Sequence, residues 1–335
     1  MNTIAHFTAE CQADMRLNGL SCDKDLIFDG KIQRYSCDEN ILKEDEWYVG
    51  IIGVTSDGRE YLICTYGSWS NREKNFTYKS FNNMQMLSDY EKEKIRSEIK
   101  DISERVRIEG ELRVKIKHDK AARLLSAEYQ KMNLLPHSGK TFDDYIRNKY
   151  KYTQYLQFKR IKQYECVNWP IKFLDYYDKA TDKLCPAMAI PLINVENKLR
   201  SVEYIYYAGG LCRKQFRKDC EKKGNFYPLD GHGRLYSPYN DSFSHALKKL
   251  SYVSRLYITE GYATAASIFE ALQRINASGW YVIVAFDAGN ICPVVGSLRT
   301  KFSTQEIIIC VDDDEAGCKA ANTTCQMYNC TKILT

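Results

Sequence analysis

The chain has no run of about eighteen consecutive apolar residues, the minimum for a helical membrane span. Its opening residues, MNTIAHFTAECQADMRLNG, carry acidic and polar side chains where a secretory signal needs an apolar stretch. A cytoplasmic protein with no membrane partner is the expectation. No two of its 13 cysteines form a C-x-x-C pair, which argues against a zinc ribbon and a disulfide framework and for buried thiols in a reducing compartment. The 5 histidines show no ligand spacing, so no zinc is expected. The GKT at residues 139–141 is not a P-loop, because that loop needs a glycine where Leu134 stands. Internal repeats and low-complexity tracts are absent.

An apolar fraction of 44% is ordinary for a protein with a buried core, and 335 residues suffice for two or three domains. The net charge of +5 is unevenly spread. Residues 1–139 hold 21 basic and 23 acidic side chains, residues 140–223 hold 18 and 10, and residues 224–335 hold 9 and 10. A basic middle beside an acidic end suits a polyanion gripped by one part and processed by another, although a solvated lysine-rich surface has the same composition.

Between residues 26 and 77, short apolar and aromatic runs are cut by Asp29-Gly30 and Asp57-Gly58, predicting a small antiparallel β module. From Ser88 to about Met132 the chain is rich in Glu, Lys and Arg, with Ile95, Ile99, Ile102 and Val106 at helical intervals. That predicts one long helix, or two in tandem broken near Gly110, with a solvated charged face. Residues 136–139 punctuate the chain. An aromatic-basic segment follows, then strands and turns to Asp230, then a Gly/Pro/Asn/Ser-rich connector at 231–244. The domain expectation is therefore 1–87 (β module), 88–139 (charged helical connector), 140–244 (basic, aromatic-rich α/β subdomain) and 245–335 (catalytic α/β domain).

Over its last eighty or so residues the chain alternates cleanly between β-branched runs and helical segments. Strands are expected at 254–259, 280–286, 306–312 and 331–334, giving a four-stranded parallel sheet flanked by helices. Ligands of such sheets gather at the carboxyl ends of the strands. Glu260 follows the first strand, with Gly261 opening a helix, and Asp312, Asp313 and Asp314 close the third before Glu315-Ala316-Gly317. Positions 312 and 314 project to one side of an extended chain and 313 to the other, so Asp312 and Asp314 are expected to converge with Glu260. Carboxylates that close repel unless a cation neutralises them, and oxygen-only donors suit Mg²⁺ or Mn²⁺. Acidic loop residues and helix caps are the plainer alternative.

The two motifs ITEGYATAASI (258–268) and VDDDEAGCKAA (311–321) resemble the Toprim domain of primases, type IA and type II topoisomerases and related nucleases. EGYATA, with AFDAGNI at 285–291, is closest to primase-like proteins of plasmids and phages, whose second Toprim strand ends in Ala-Phe-Asp-Ala-Gly-Asn-Leu. Weaker similarity covers most of the rest of the chain: YTQYLQFKRI (152–161), IPLINVENKLRSVEYI (190–205), RKQF (213–216) with KKGNFYPL (222–229), and FDGKIQRY, EWYV and YGSW between 28 and 69. The resemblance implies an α+β multidomain protein that makes primers on single-stranded DNA from NTPs with Mg²⁺ or Mn²⁺, and a replicative helicase as an optional partner. It assigns catalysis and metal binding to Glu260, Asp312 and Asp314, and motif roles to Gly261, Gly317 and Asn290. Primase-type Toprim domains carry a further acidic cluster beyond the fourth strand, and this sequence ends at Thr335. The implication is either a fragment or a smaller metal set.

Interleaved aromatics and cations between 142 and 177, among them Tyr145, Arg147, Tyr150, Tyr155, Lys159, Arg160 and Trp169, have the composition of a single-strand platform, but equally of a helix packed on a core. Arg213, Lys214, Arg217 and Lys218 are the better candidates for holding template or nucleotide phosphates. Two rival functions share the metal site: a nuclease that activates water, and a catalytically weak DNA-binding accessory. Too little chain is left for strand passage or a helicase motor.

Overall fold

The computed structural model describes residues 3–36, 44–71, 73–80, 88–132, 151–161, 171–229 and 246–334. The boundary at 136–139, the connector at 231–244, and Tyr145, Arg147, Tyr150 and Trp169 lie outside them. The chain forms two compact units, Met1–Lys115 and Ile116–Thr335. Among the described residues no helix is long and apolar enough to cross a membrane.

In the first unit, α1 (Thr3–Leu17) precedes an antiparallel sheet of β1 (Gln33–Tyr35), β2 (Glu46–Val54), β3 (Glu60–Ser68) and β4 (Asn75–Lys79), paired in that order. Asp57-Gly58 makes the β2–β3 turn, with Gly58 at φ +85°, where a glycine costs no Cβ clash. Alternation along the strands gives the sheet two apolar faces. One holds Cys11 and Met15 of α1 against Tyr48, Leu62 and Tyr66; the other holds Trp47, Val49 and Ile63 against Ile95, Ile102 and Val106. Those last three residues belong to α2 (Asp89–Lys131), which is unbroken over 43 residues. Ser88 and Glu91 start it with reciprocal side-chain bonds to each other's backbone amides, at 3.3 and 2.8 Å. Gly110 does not break the helix. A Cβ there would stand 3.0 Å from Trp69, so the small residue admits a close ring.

The second unit contains α3 (Gln154–Phe158) and an antiparallel sheet of β5 (Lys172–Asp178), β6 (Lys183–Ile193), β7 (Leu199–Ala208) and β8 (Leu211–Phe216). Gly209 and Gly210 both have positive φ (+60° and +79°), the two-residue turn that matches strand twist between β7 and β8. Next come β9 (Tyr227–Leu229), α4 (Ala246–Leu250), β10 (Arg255–Thr259), α5 (Tyr262–Arg274), β11 (Trp280–Val284), α6 (Ala288–Arg299), β12 (Glu306–Val311), α7 (Glu315–Tyr328) and β13 (Thr331–Leu334).

Strands β10 to β13 pair parallel, in the order β13-β12-β10-β11. The sheet is nevertheless five-stranded and mixed, not four-stranded: β9 lies antiparallel on β11. The backbone groups on the free side of β11 need partners, and the three-residue strand supplies them. Pro228, which has no N–H to give, is tolerated because β9 is an edge strand. One apolar core joins both sheets of this unit, from Phe173 and Ile190 through Tyr227 to Ile258, Val284 and Ile309.

Candidate active site

Parallel pairing brings the ends of three strands together. Thr259 is in register with Val284 on one side and Cys310 on the other, so the residues that follow each strand share one edge of the sheet. Glu260 leaves β10 there, Asp312 leaves β12, and Asp287 lies three residues beyond β11.

Glu260 is half-buried, and its Oε1 is buried without a hydrogen-bond partner. Its carboxyl pKa is raised, first by burial and then by Asp312 and Asp314, with Asp287 adding to them; a hydrogen bond from the Asp312 backbone opposes the rise. Asp314 is the N-cap of α7 and accepts from the Gly317 amide at 2.7 Å, which fixes its carboxylate. Gly317 cannot carry a side chain without a shift. A Cβ there would lie 2.5 Å from Glu260 Oε1, 2.8 Å from the Asp312 carbonyl and 3.2 Å from Asp314 Oδ1. Asp313 is exposed, with one carboxylate oxygen 4.0 Å from Cys318 Sγ.

Asp287 joins this edge although its role was not read from the sequence. It caps α6, accepting from the Asn290 amide at 2.9 Å, and forms an ion pair with Lys222. The preceding residue, Phe286, has φ +76°, a strained backbone for a bulky side chain, and its ring meets Phe216 edge-on at 6.0 Å. That turn directs the chain from β11 into α6. The signal was present in AFDAGNI, at the end of the second strand, but a lone aspartate before a helix reads equally as an ordinary cap.

Asn290 is a support behind this edge. It is 2% exposed, its side-chain nitrogen donates to the carbonyls of Ala285 (2.8 Å), Asn225 (3.0 Å) and Lys222 (3.3 Å), and its oxygen accepts from Gly224 N at 2.8 Å. It thus ties the Lys222–Asn225 loop to the start of α6.

The predicted basic residues divide. Lys214 faces the acidic edge: a Cβ on Gly261 would stand 4.0 Å from its ammonium. It is solvent-exposed. Burial pulls its pKa down, but Tyr155 and Glu203 outweigh that and leave it raised. Tyr155 is 3% exposed and its ring lies 5.4 Å from the Lys214 ammonium, so it orients this lysine and offers no free face to a base. Arg213 is on the other side of β8. Arg217 forms a two-pronged ion pair with Glu128 at 2.8 and 3.0 Å. Lys218, Lys159 and Arg160 are exposed, away from any described contact with the carboxylates.

Among the described residues no three His, Cys, Asp or Glu side chains enclose a ready metal site. The residues present still fit a hard cation. The donors are oxygens only, one is buried and unpartnered, and Gly317 keeps the space beside it open.

Residues 254–334 match the family model of the Toprim domain. The chain carries a Toprim domain. Toprim domains generally bind Mg²⁺, in keeping with that donor set. Two Escherichia coli proteins, each named DNA primase TraC, are 34% and 32% identical to it over 134 residues. The matched stretch is 40% of this chain but only 8% and 10% of those relatives. Among solved structures, the primase fragment of the bacteriophage T7 primase-helicase protein overlaps 51% of this chain and 59% of its own, at 14% identity and a TM-score of 0.34, an overlap too slight to bear on function. Over the 134 matched residues the chain is similar to the two TraC primases.

Proposed function

We propose that this chain synthesises short RNA primers on single-stranded DNA for a mobile element, by metal-dependent nucleotidyl transfer. One observation carries the reading: the Glu260 carboxylate stands with Asp312 and Asp314 on one edge of the Toprim sheet, and the Lys214 ammonium approaches the next residue, Gly261. An acidic edge alone repels a nucleotide. A cation held there, with a lysine alongside, makes it a phosphate site.

Glu260, Asp312 and Asp314, with Asp287, would hold Mg²⁺ or Mn²⁺, which supplies charge neutralisation at the transferring phosphoryl group and a lowered pKa for the attacking hydroxyl. The protein's own share is positional. The α7 and α6 caps hold Asp314 and Asp287 in place, and Gly317 spares the buried, unpartnered Glu260 oxygen a clash with a Cβ. Lys214, with Tyr155 and Glu203 around it, would meet triphosphate oxygens near Gly261. The substrates are NTPs and a DNA template, and a replicative helicase is the partner that would deliver single strand.

Incubation with single-stranded DNA, labelled NTPs and Mg²⁺, followed by sizing of the products, tests this. Short labelled products that vanish in Asp312→Ala are expected. Shortened template without any need for NTPs would assign the same site to a nuclease.

A further inference from the structure

A second site lies on the face of the basic sheet that points away from Lys214. In the β7–β8 register Ile205 pairs with Lys214 and Glu203 with Phe216, whereas Tyr206 pairs with Arg213 and Tyr204 with Gln215. Side chains alternate along a strand, so Arg213 and Lys214, adjacent in sequence, serve opposite faces. On the Arg213 face is a cavity of about 1080 Å³, walled by Tyr176, Tyr204, Tyr206, Arg213, Gln215 and Lys218 among others.

Its contents are specific. Tyr176 stacks against Tyr204 and Tyr206 with ring centroids 4.8 and 4.9 Å apart, and only Tyr176 is partly exposed. A partly exposed ring seated on two buried ones is a rigid platform that loses little entropy when a flat ligand stacks on it. The charges around it are sorted. Asp178 is satisfied by Thr181 and by Tyr206 (2.9 Å to the hydroxyl), Asp175 by Lys151 (3.2 Å) and Tyr152 (3.0 Å), and Glu128 by Arg217. Lys179 and Lys218 have no ion pair among the described residues. Arg213 keeps a buried Nε with no hydrogen-bond partner. Gln215 Oε1 accepts from the Tyr176 hydroxyl at 3.3 Å, the one proton of Tyr206 being given to Asp178, and the amide nitrogen has no hydrogen-bond partner among the described residues.

An aromatic platform with one amide donor, rimmed by surplus cations, has the chemistry of a nucleotide: a base to stack and a phosphate to neutralise. We propose that this cavity binds a nucleotide unit, either in a single strand or as a free triphosphate, separately from the acidic edge. The proposal rests on the reading of the chain as acting on nucleic acid. It adds a grip on the face the chemistry does not use, so that a strand is retained while the carboxylate edge turns over.

The test uses the full chain with a 4-thiothymidine-containing oligonucleotide, photocrosslinked and mapped by peptide mass spectrometry. A crosslink on the peptide containing Tyr176 is expected, and Tyr176→Ala should weaken oligonucleotide affinity about tenfold, the loss of one stacked base. Tyr176→Phe, which keeps the ring, should retain the affinity, and Lys218→Glu, at an exposed position, should reduce the salt slope by roughly one released counterion. Protection of the crosslink by free NTP identifies the triphosphate as occupant, and no protection identifies the strand. Crosslinks confined to the Lys214 side, with unchanged affinity in Tyr176→Ala and Lys218→Glu, would overturn the second site while leaving the primase reading intact. A chain that binds neither oligonucleotide nor NTP would remove both.

Discussion

Gly317 lies against Glu260 so closely that a Cβ on it would come within 2.5 Å of the buried, unpartnered Oε1. Two of the three nearest atoms are held in place, one as backbone of Asp312 and one as the α7 cap. Gly317→Ala should therefore displace the Glu260 carboxylate. Primer synthesis should fall on the order of a hundredfold, the scale seen when one preorganised group is lost, with a stability loss of about 1–3 kcal/mol. Product yield and a thermal melt on the same preparation check both parts; an unchanged yield would show that Glu260 needs no open space beside it.

The three consecutive aspartates should separate by role. Asp312→Ala should abolish activity and leave stability unchanged or raised, because a repelling charge is gone. Asp314→Ala should abolish activity too, but it also removes the α7 cap, at a cost of about 1 kcal/mol that relieved repulsion partly offsets. Asp314→Asn keeps the cap and should lose activity alone. Asp313→Ala should remain active. Equal loss at Asp313 would mean that the chain leaves β12 in a different register.

Glu203 is buried on β7, and burial pushes its carboxyl up to about 7, with Lys214 and Lys222 opposing the rise and Asp287 adding to it. The unfolded chain ionises it near the ordinary 4.5. Between those values the unfolded state gives up a proton that the folded state keeps, so stability falls as pH rises through this window. Glu203→Gln removes that penalty. The variant should match the parent below pH 4.5 and gain with rising pH, by on the order of 3 kcal/mol at pH 7. Denaturant midpoints across the range would settle it, and a gap that stays constant with pH would refute the buried-acid account.

Asn290→Ala should be among the most damaging substitutions outside the carboxylates. It strips partners from Gly224 N and from the Ala285 and Asn225 carbonyls. Each buried group left unmet costs about 1–3 kcal/mol, so a loss of about 3 kcal/mol or more is expected from urea unfolding. Metal affinity, read by calorimetry with Mn²⁺, should fall with it, because the loop carrying Lys222 and the start of α6 carrying Asp287 are released together. Normal stability would show that water can replace the amide.

The alternation of β-branched runs with helices in the last quarter of the sequence, and the carboxylates at the strand ends, were legible because both are local. A buried parallel strand is continuously apolar, and a cap is a single residue at a helix start. The β module and the charged helix were legible for the same reason, through turn glycines and isoleucines at helical spacing. Tertiary structure alone decided which distant pieces meet. The addition of β9 to the edge of β11, the ion pair between Lys222 and Asp287, and the uninterrupted helix past Gly110 all depend on partners far away in sequence. The basic run 213–218 shows the limit most clearly. Composition marks all four cations alike, yet the strand period places Lys214 beside the acidic edge and Arg213 on the far face, while Arg217 is already neutralised by Glu128. Which face of a strand meets which neighbour is fixed by pairing register and by burial, and those are properties of the assembled sheet.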